Sequence, residues 1–292
     1  MLETYGTAVR REPAGTSDGA ETAATAAGTT STGTIATVAD VTEALDHAAG
    51  ALVAWGNALL AGAASPDETA EMVRRAGGDP DVSHLVAGLP GETGPVGLTM
   101  ALGRLRRLGV VGLRLVLPVA GDALGLPGPA EFNAAAVEAG QAVLTVGGQP
   151  YGLLPETADA TVCWRLHEVN PVWAAPHVSL SDAETELLVA VGEATERLVR
   201  LDVARLDPDL ADALLQLRRG RPEEIPLPRC CPPRAHRLLA LAEQVAAITG
   251  LAHRTPGAAV SAGQLAARTA ALYPLERIAR RARQAAYNAL SR

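Results

Sequence analysis

The chain has 292 residues, a formal net charge of −7 at pH 7 and an aromatic content of only 3%. Its three cysteines are too few for a disulfide scaffold, and no apolar run reaches the roughly 18 residues that a transmembrane helix needs. All 25 basic residues are arginine, which excludes mechanisms that depend on a lysine amine, such as a Schiff base or a P-loop. The polar N-terminus does not look like a signal peptide, so we expect a cytoplasmic protein.

Residues 1–36 are rich in Ala, Thr, Gly and Ser and poor in large apolar side chains. Such a segment buries too little surface to offset the entropy lost on ordering, so we predict a disordered, low-complexity tail. Apolar residues at helical spacing then predict a helix over 39–62. A second helix is predicted over 66–76, because Ser65 is a good N-cap residue and Pro66 a good first helical residue.

The next part of the chain alternates between short apolar runs typical of strands and segments with helical periodicity. In chain order, the predicted elements are strand 82–89, helix 95–108, strand 110–117, helix 129–139, and strands 141–146, 151–154 and 160–169. The first three strands are joined by helices, which favours a parallel arrangement, whereas the last two are close enough in sequence to pair antiparallel. We therefore expect an α+β fold, with a mixed sheet of about five strands in a domain over residues 37–176.

From residue 177 to the C-terminus, the chain is predicted to form a helical region packed on that domain. A helix is expected after the capping-box sequence Ser181–Glu184, and another from Asp207. The proline-rich segment 220–233 is expected to be a loop, and Pro274 is expected to begin or kink the last helix.

Two Gly/Pro-rich loops each lie between a predicted strand and a predicted helix, where backbone N–H groups and the helix dipole can hold an anion. The first, 88–97, contains Gly91 and Gly94 but does not match the P-loop pattern. The second, 121–129, has Asp122 as its only charge, which is suited to a hydroxyl, a metal ion or an arginine. The simpler interpretations are a plain strand–helix connection and an aspartate that accepts hydrogen bonds from its own turn.

Strand alternation places two arginines and a histidine, Arg114, Arg165 and His167, away from the apolar face of the predicted sheet. Together they would suit an acidic ligand or partner, although the solvated side of a half-covered sheet explains them equally well. On the opposite face we expect Trp164 to be buried among leucines of the two strands, namely Leu113, Leu115 and Leu166.

Charge is distributed unevenly along the chain. Residues 229–292 hold ten arginines and two acidic residues, a net charge of +8, which leaves −15 on residues 1–228. Four of these arginines lie on the last predicted helix: Arg277, Arg280, Arg281 and Arg283. This helix would attract a nucleic acid or a membrane surface, but the acidic body and the scarcity of aromatic residues favour pairing with the chain's own carboxylates.

Sequence motifs for metal binding and nucleophilic catalysis are missing. The vicinal Cys230 and Cys231, with His236 nearby, do not have the spacing of a zinc site. The chain also contains neither G-x-S-x-G nor H-E-x-x-H. We therefore predict no metal site and no cofactor.

The stretch Leu113–Pro118 followed by Gly121 and Asp122, together with Arg280–Asn288, resembles an uncharacterised protein family of high-GC actinobacteria. The lack of lysine and the excess of alanine agree with a high-GC coding bias. The resemblance covers about the last two thirds of the chain. It implies no known activity and therefore assigns no functional residue.

These patterns favour a non-enzymatic binding or regulatory protein that acts through a protein partner or a small anionic ligand. The main alternative is an enzyme acting on a phosphorylated or carboxylated metabolite at loops 88–97 and 121–129. Nucleic-acid binding through the basic last helix is the third interpretation and the least favoured. The sequence leaves open whether the two loops form one pocket, which ligand is bound and what the oligomeric state is.

Overall fold

The computed structural model describes most of the chain, in the ranges 38–78, 82–158, 161–171, 178–200, 227–254 and 262–291. The predicted tail, 1–36, lies outside the described residues. So do the helix predicted from Asp207 and the first half, 220–226, of the predicted proline-rich loop.

The helices are α1 (Val38–Leu60), α2 (Pro66–Ala76), α3 (Leu98–Arg107), α4 (Ala130–Ala139), α5 (Leu180–Arg200), α6 (Pro233–Arg254) and α7 (Ala262–Tyr287). The predicted start of α2 is confirmed, because the hydroxyl of Ser65 accepts a hydrogen bond from the Glu68 amide at 3.1 Å. Pro274 lies inside α7 instead of beginning it. The cap of α5 is Ser179, which accepts from the Asp182 amide, so the capping box predicted from Ser181 is wrong by two residues.

The strands are β1 (Ser83–Ala87), β2 (Val96–Gly97), β3 (Gly112–Val116), β4 (Ala142–Val146), β5 (Tyr151–Ala158) and β6 (Thr161–Glu168). They form one sheet in the order β2-β1-β6-β5-β4-β3, in which β1 and β6 are parallel and all other neighbours antiparallel. The predicted α+β fold with a mixed sheet is confirmed. The sheet has six strands where about five were expected. The additional strand is formed by Val96 and Gly97, which were expected to lie in a helix but pair with β1.

The predicted parallel arrangement of the first three strands is wrong. Val116 at the end of β3 lies opposite Ala142 at the start of β4, so the chain leaves and re-enters the sheet at the same end. The segment that contains α4 is therefore an excursion from that end and not a crossover. β1 is separated from β3 by three strands and has β6 as its parallel neighbour.

The larger core lies on the face of the sheet that carries Trp164. This side chain is fully buried, and its Nε1–H donates to Nδ1 of His84 at 3.2 Å. Leu113, Leu115 and Leu166 belong to the same buried cluster, as predicted. α1 packs on β3, while α7 packs on both α5 and α6.

A smaller core lies on the opposite face, under α4. Phe132 of α4 lies directly over Gly152 of β5, where a Cβ atom would come within 2.3 Å of the ring. Glycine is therefore required at position 152 for α4 to approach the sheet this closely.

The free edge of β3 is covered by side chains instead of by another strand. From α1, the Nδ2–H of Asn57 donates to the Leu113 carbonyl at 2.8 Å, and its Oδ1 accepts from the Leu113 amide at 2.6 Å. Asn288 bonds both backbone groups of Leu115 in the same way, at 2.7 and 2.9 Å. Each amide side chain thus takes the place that a residue of a neighbouring strand would occupy.

The match continues along α7, where Oε1 of Gln284 accepts from the Leu117 amide at 2.9 Å. Residues four apart on a helix are separated by about 6 Å along the axis, and alternate residues of a strand by about 6.7 Å. Asn288 and Gln284 therefore keep step with Leu115 and Leu117, two alternate residues whose backbone groups face the open edge of the sheet. Within the described ranges, no helix is long and apolar enough to cross a membrane.

Replacing Trp164 by alanine should lower the free energy of unfolding by about 3–5 kcal/mol, because a fully buried aromatic side chain leaves a cavity when it is removed. Trp164→Phe keeps an aromatic ring but loses the hydrogen bond to His84, so it should lower the free energy of unfolding by less than Trp164→Ala does. Chemical denaturation measures both changes. Unchanged stability of the alanine variant would show that the faces of the strand are assigned the wrong way round.

Replacing Asn57 by alanine should lower the free energy of unfolding by about 1–3 kcal/mol, because the buried amide of Leu113 then lacks an acceptor. Gln244→Ala, which removes an exposed amide on α6, is the matched control and should change stability by less than about 0.5 kcal/mol. Equal effects of the two substitutions in chemical denaturation would argue against the role assigned to Asn57.

Candidate functional site

A cleft of about 510 Å³ opens beside the covered edge of β3. We call it the edge cleft. One wall is formed by Arg114 of β3 and by the loop residues Asp122, Leu124 and Gly125. The other walls are formed by residues 178–180 and by one side of α7 and the turn after it, from Arg281 to Ser291. Its volume lies within the range of small-molecule sites. Two residues singled out from the sequence, Arg114 and Asp122, therefore share one cavity.

Asp122 is held by two arginines of α7. Nη2 of Arg280 donates to its carboxylate at 2.8 Å, and Nη2 of Arg281 donates at 3.0 Å. Arg280 also donates to the carbonyl of Leu117 through Nη1. The loop presents the carboxylate by a tight turn, in which Val119 and Asp122 exchange backbone hydrogen bonds at 3.1 and 2.9 Å.

These contacts keep Asp122 ionised. Burial alone would raise its pKa, but the hydrogen bonds from Arg281 and Arg280 and their positive charges outweigh burial and place the pKa below its ordinary value. A carboxylate that is already bound by two guanidinium groups is poorly suited to accept a substrate proton.

Arg114 is half-buried in the wall of the edge cleft, and burial lowers the pKa of its guanidinium. Among the described residues, no carboxylate lies within ion-pairing distance of it. Gln284 uses its oxygen to cap the Leu117 amide, and its NH₂ group has no partner in the described part of the chain. In the described lining of the cleft, Arg114 and the NH₂ group of Gln284 are thus two hydrogen-bond donors to which the structure assigns no acceptor.

The structure does not bring Arg165 and His167 into the edge cleft. Strand register does place them on the same sheet face as Arg114, as the alternation predicted. Two strands intervene, however, which corresponds to about 14 Å. Arg165 forms two hydrogen bonds with Glu156, at 2.6 and 2.7 Å, and the ring of His167 lies 5.8 Å from that of Phe132.

Gly91 and Gly94 are also remote from the edge cleft. Their loop follows β1 at the opposite edge of the sheet and ends in β2, and Glu92 of this loop pairs with Arg104 at 2.6 Å. Neither the edge cleft nor the second cavity, described below, has described lining residues from both Gly/Pro-rich loops.

The four arginines of the last helix have different surroundings. Arg280 and Arg281 bind Asp122, and Arg283 lies 3.1 Å from Glu243 of α6, with both side chains largely buried. Arg277 is exposed. Three of the four therefore form ion pairs within the chain.

Sequence reasoning missed the amide side chains that build this region. Gln284 and Asn288 lie four residues apart, in the last turn of α7 and directly after it, and Asn57 interrupts the mainly apolar run from Ala51 to Ala64. Polar amides at such positions are a usable signal, but it identifies no partner. Within the described ranges, no group of three or more His, Cys, Asp or Glu side chains is placed to hold a metal ion.

Comparison with known proteins matches almost the whole described region to one family. Residues 49–179 match the family model described as Rv1486c-like protein, N-terminal domain, and residues 181–284 match Rv1486c-like protein, C-terminal domain. The edge cleft has walls from both matched regions. No solved structure matches this chain.

Two mycobacterial relatives align over nearly their full length. The chain is 29% identical over 273 residues to the uncharacterized protein Rv1486c of Mycobacterium tuberculosis (strain ATCC 25618 / H37Rv), which covers 81% of this chain and 94% of the relative. It is 28% identical over 289 residues to the uncharacterized protein ML1804 of Mycobacterium leprae (strain TN), covering 82% and 95%.

Asp122→Asn should lower stability at neutral pH by about 1.5–3 kcal/mol, the usual contribution of hydrogen bonds between charged groups. The folded pKa of Asp122 lies below its unfolded value near 3.8, so its contribution is complete above that pH and is lost as the pH falls through the folded pKa. The stability difference between wild type and variant should therefore be constant from about pH 5 to 8 and shrink below about pH 4. Chemical denaturation of both proteins across this pH range measures the stability difference. A difference that persists at acid pH would contradict the ion pairs between Asp122 and the two arginines.

Proposed function

The chain belongs to the Rv1486c-like family, and we propose that it is a binding protein that holds a small anionic ligand in the edge cleft. The observation that carries this proposal is Arg114, a half-buried cation without a carboxylate partner in the described structure. Burying an unpaired charge is costly, and an anion in the cleft would compensate for that cost.

The charge balance of the cleft supports an anion over a cation. Among the described lining residues, Asp122 is the only carboxylate, and two arginines already neutralise it. Arg114 therefore adds a positive charge that nothing in the described lining offsets. The NH₂ group of Gln284, which has no partner among the described residues, is a second donor for the oxygens of a carboxylate or phosphate.

The chemistry of the lining supports binding over catalysis. The lining residues, as far as the structure describes them, include no histidine, cysteine or glutamate. Asp122 stays ionised, and Asn288 is occupied with the backbone of β3. Among the described lining residues, the enzyme interpretation therefore has no side chain that is suited to proton transfer.

Nucleic-acid binding through the last helix has less support, because Arg280, Arg281 and Arg283 already contact carboxylates of the chain. We also propose that a sheet domain, 37–176, and a helical region, 177–292, provide the two sides of the ligand site. A cytoplasmic location is favoured by the three unpaired cysteines, since reducing compartments keep thiols free.

Isothermal titration calorimetry with inorganic phosphate, acetate and citrate tests the proposal. Wild type should bind at least one of these anions, and Arg114→Gln should weaken that binding by about 10- to 100-fold, as expected for loss of a charged hydrogen-bonding partner. The matched control is Arg106→Gln, which removes an exposed arginine from α3.

The control separates specific binding from general charge attraction. Arg106→Gln should leave the affinity within about twofold of wild type, because surface charges are screened by salt. If none of the three anions binds to wild type, or if the two variants weaken binding equally, the assignment of an anion site at Arg114 is wrong. Thermal denaturation of each variant checks that it is folded.

A further inference from the structure

A second cavity, of about 620 Å³, lies near the edge of the sheet opposite β3, between α2, β1, β2 and α3. It is called the α3 cavity here. Its walls include Arg74 of α2, Leu85 of β1, and Gly97, Met100, Gly103 and Arg107 on or beside α3. It shares no residue with the edge cleft.

Two glycines leave this cavity open. A Cβ atom built on Gly97 or on Gly103 would meet no other atom within 4 Å. Gly103 lies inside α3, where alanine is a much better helix former, and neither a positive φ nor a close neighbour requires glycine there. Packing within the described chain therefore does not account for Gly103, whereas a ligand seated against α3 would.

The charges around the α3 cavity are positive. Arg74 and Arg107 line it, and the described lining residues include no carboxylate. Arg74 also contacts Glu71, whereas Arg107 is exposed and has no ion-pair partner in the described part of the chain.

The remaining lining is largely uncharged. His84 is buried, and burial followed by the charge of Arg74 lowers its pKa to about 4, so it is neutral at physiological pH. Leu85 and Leu98 contribute apolar wall, and Met100 is 56% exposed beside them. A flexible, exposed methionine is typical of surfaces that accept apolar ligands of varied shape.

We propose that the α3 cavity is a second binding site, which takes a carboxylate with an apolar chain. The carboxylate pairs with Arg107, and the chain lies over Gly103 against Leu85, Leu98 and Met100. This site rests on observations independent of Arg114 and the edge cleft.

Titration of wild type with decanoate tests the site, with isothermal titration calorimetry as the measurement. Gly103→Leu places a side chain in the cavity and should weaken decanoate binding at least tenfold. Gly103→Ala, a smaller change that also favours the helix, should weaken it less. The matched control is Gly192→Leu, at a helical glycine of α5 that likewise has open space and lies outside the cavity; it should leave binding unchanged.

Two further measurements identify the head group and the location. Arg107→Gln should lower the affinity for decanoate at least fivefold but leave the affinity for the uncharged analogue decanol unchanged. Arg114→Gln should leave decanoate binding unchanged, which separates this site from the edge cleft. The proposal is overturned if wild type does not bind decanoate, if Gly103→Leu and Gly103→Ala bind as wild type does, or if Arg114→Gln abolishes binding.

Discussion

The backbone of β3 needs hydrogen-bond partners on the side that no strand covers, and the rest of the arrangement depends on how this need is met. An open sheet edge attracts further strands, so natural proteins cover or interrupt it. Here Asn57 from α1 and Asn288 after α7 supply paired donors and acceptors to alternate residues of β3. Because the amides must keep step with the strand, the position of α7 along β3 is set to within a fraction of a helical turn.

That position determines the electrostatics of the edge cleft. Once Gln284 and Asn288 are seated on β3, the preceding turn of α7 brings Arg280 and Arg281 to Asp122. The ion pairs occupy the one carboxylate in the lining and leave Arg114 without a partner among the described residues. The docking of α7 that covers the edge of β3 therefore also leaves the described lining of the edge cleft with a net positive charge.

Arginine serves three different purposes in this lysine-free chain. Arg280 and Arg281 join the last helix to the sheet, and Arg283 joins it to α6 through Glu243. Arg165 ties two neighbouring strands together through Glu156. Arg114 and Arg107 have no carboxylate partner in the described structure, and each lines a cavity. The partner of each arginine, more than its position in a basic segment, therefore distinguishes the structural arginines from those for which we propose ligand binding.

The sequence by itself determined the features that depend on neighbouring residues. Ser65 before Pro66 begins a helix, and strand alternation puts Trp164 in the core and Arg165 on the other face, because capping and side-chain direction are local properties. Only the tertiary structure decided the strand order, the partners of Asp122 and the cover of β3. Leu115 and Asn288 are separated by 173 residues, and nothing in the sequence near either one specifies the other. Such pairs form because a buried or edge backbone group must be satisfied, and which side chain satisfies it depends on how the whole chain packs.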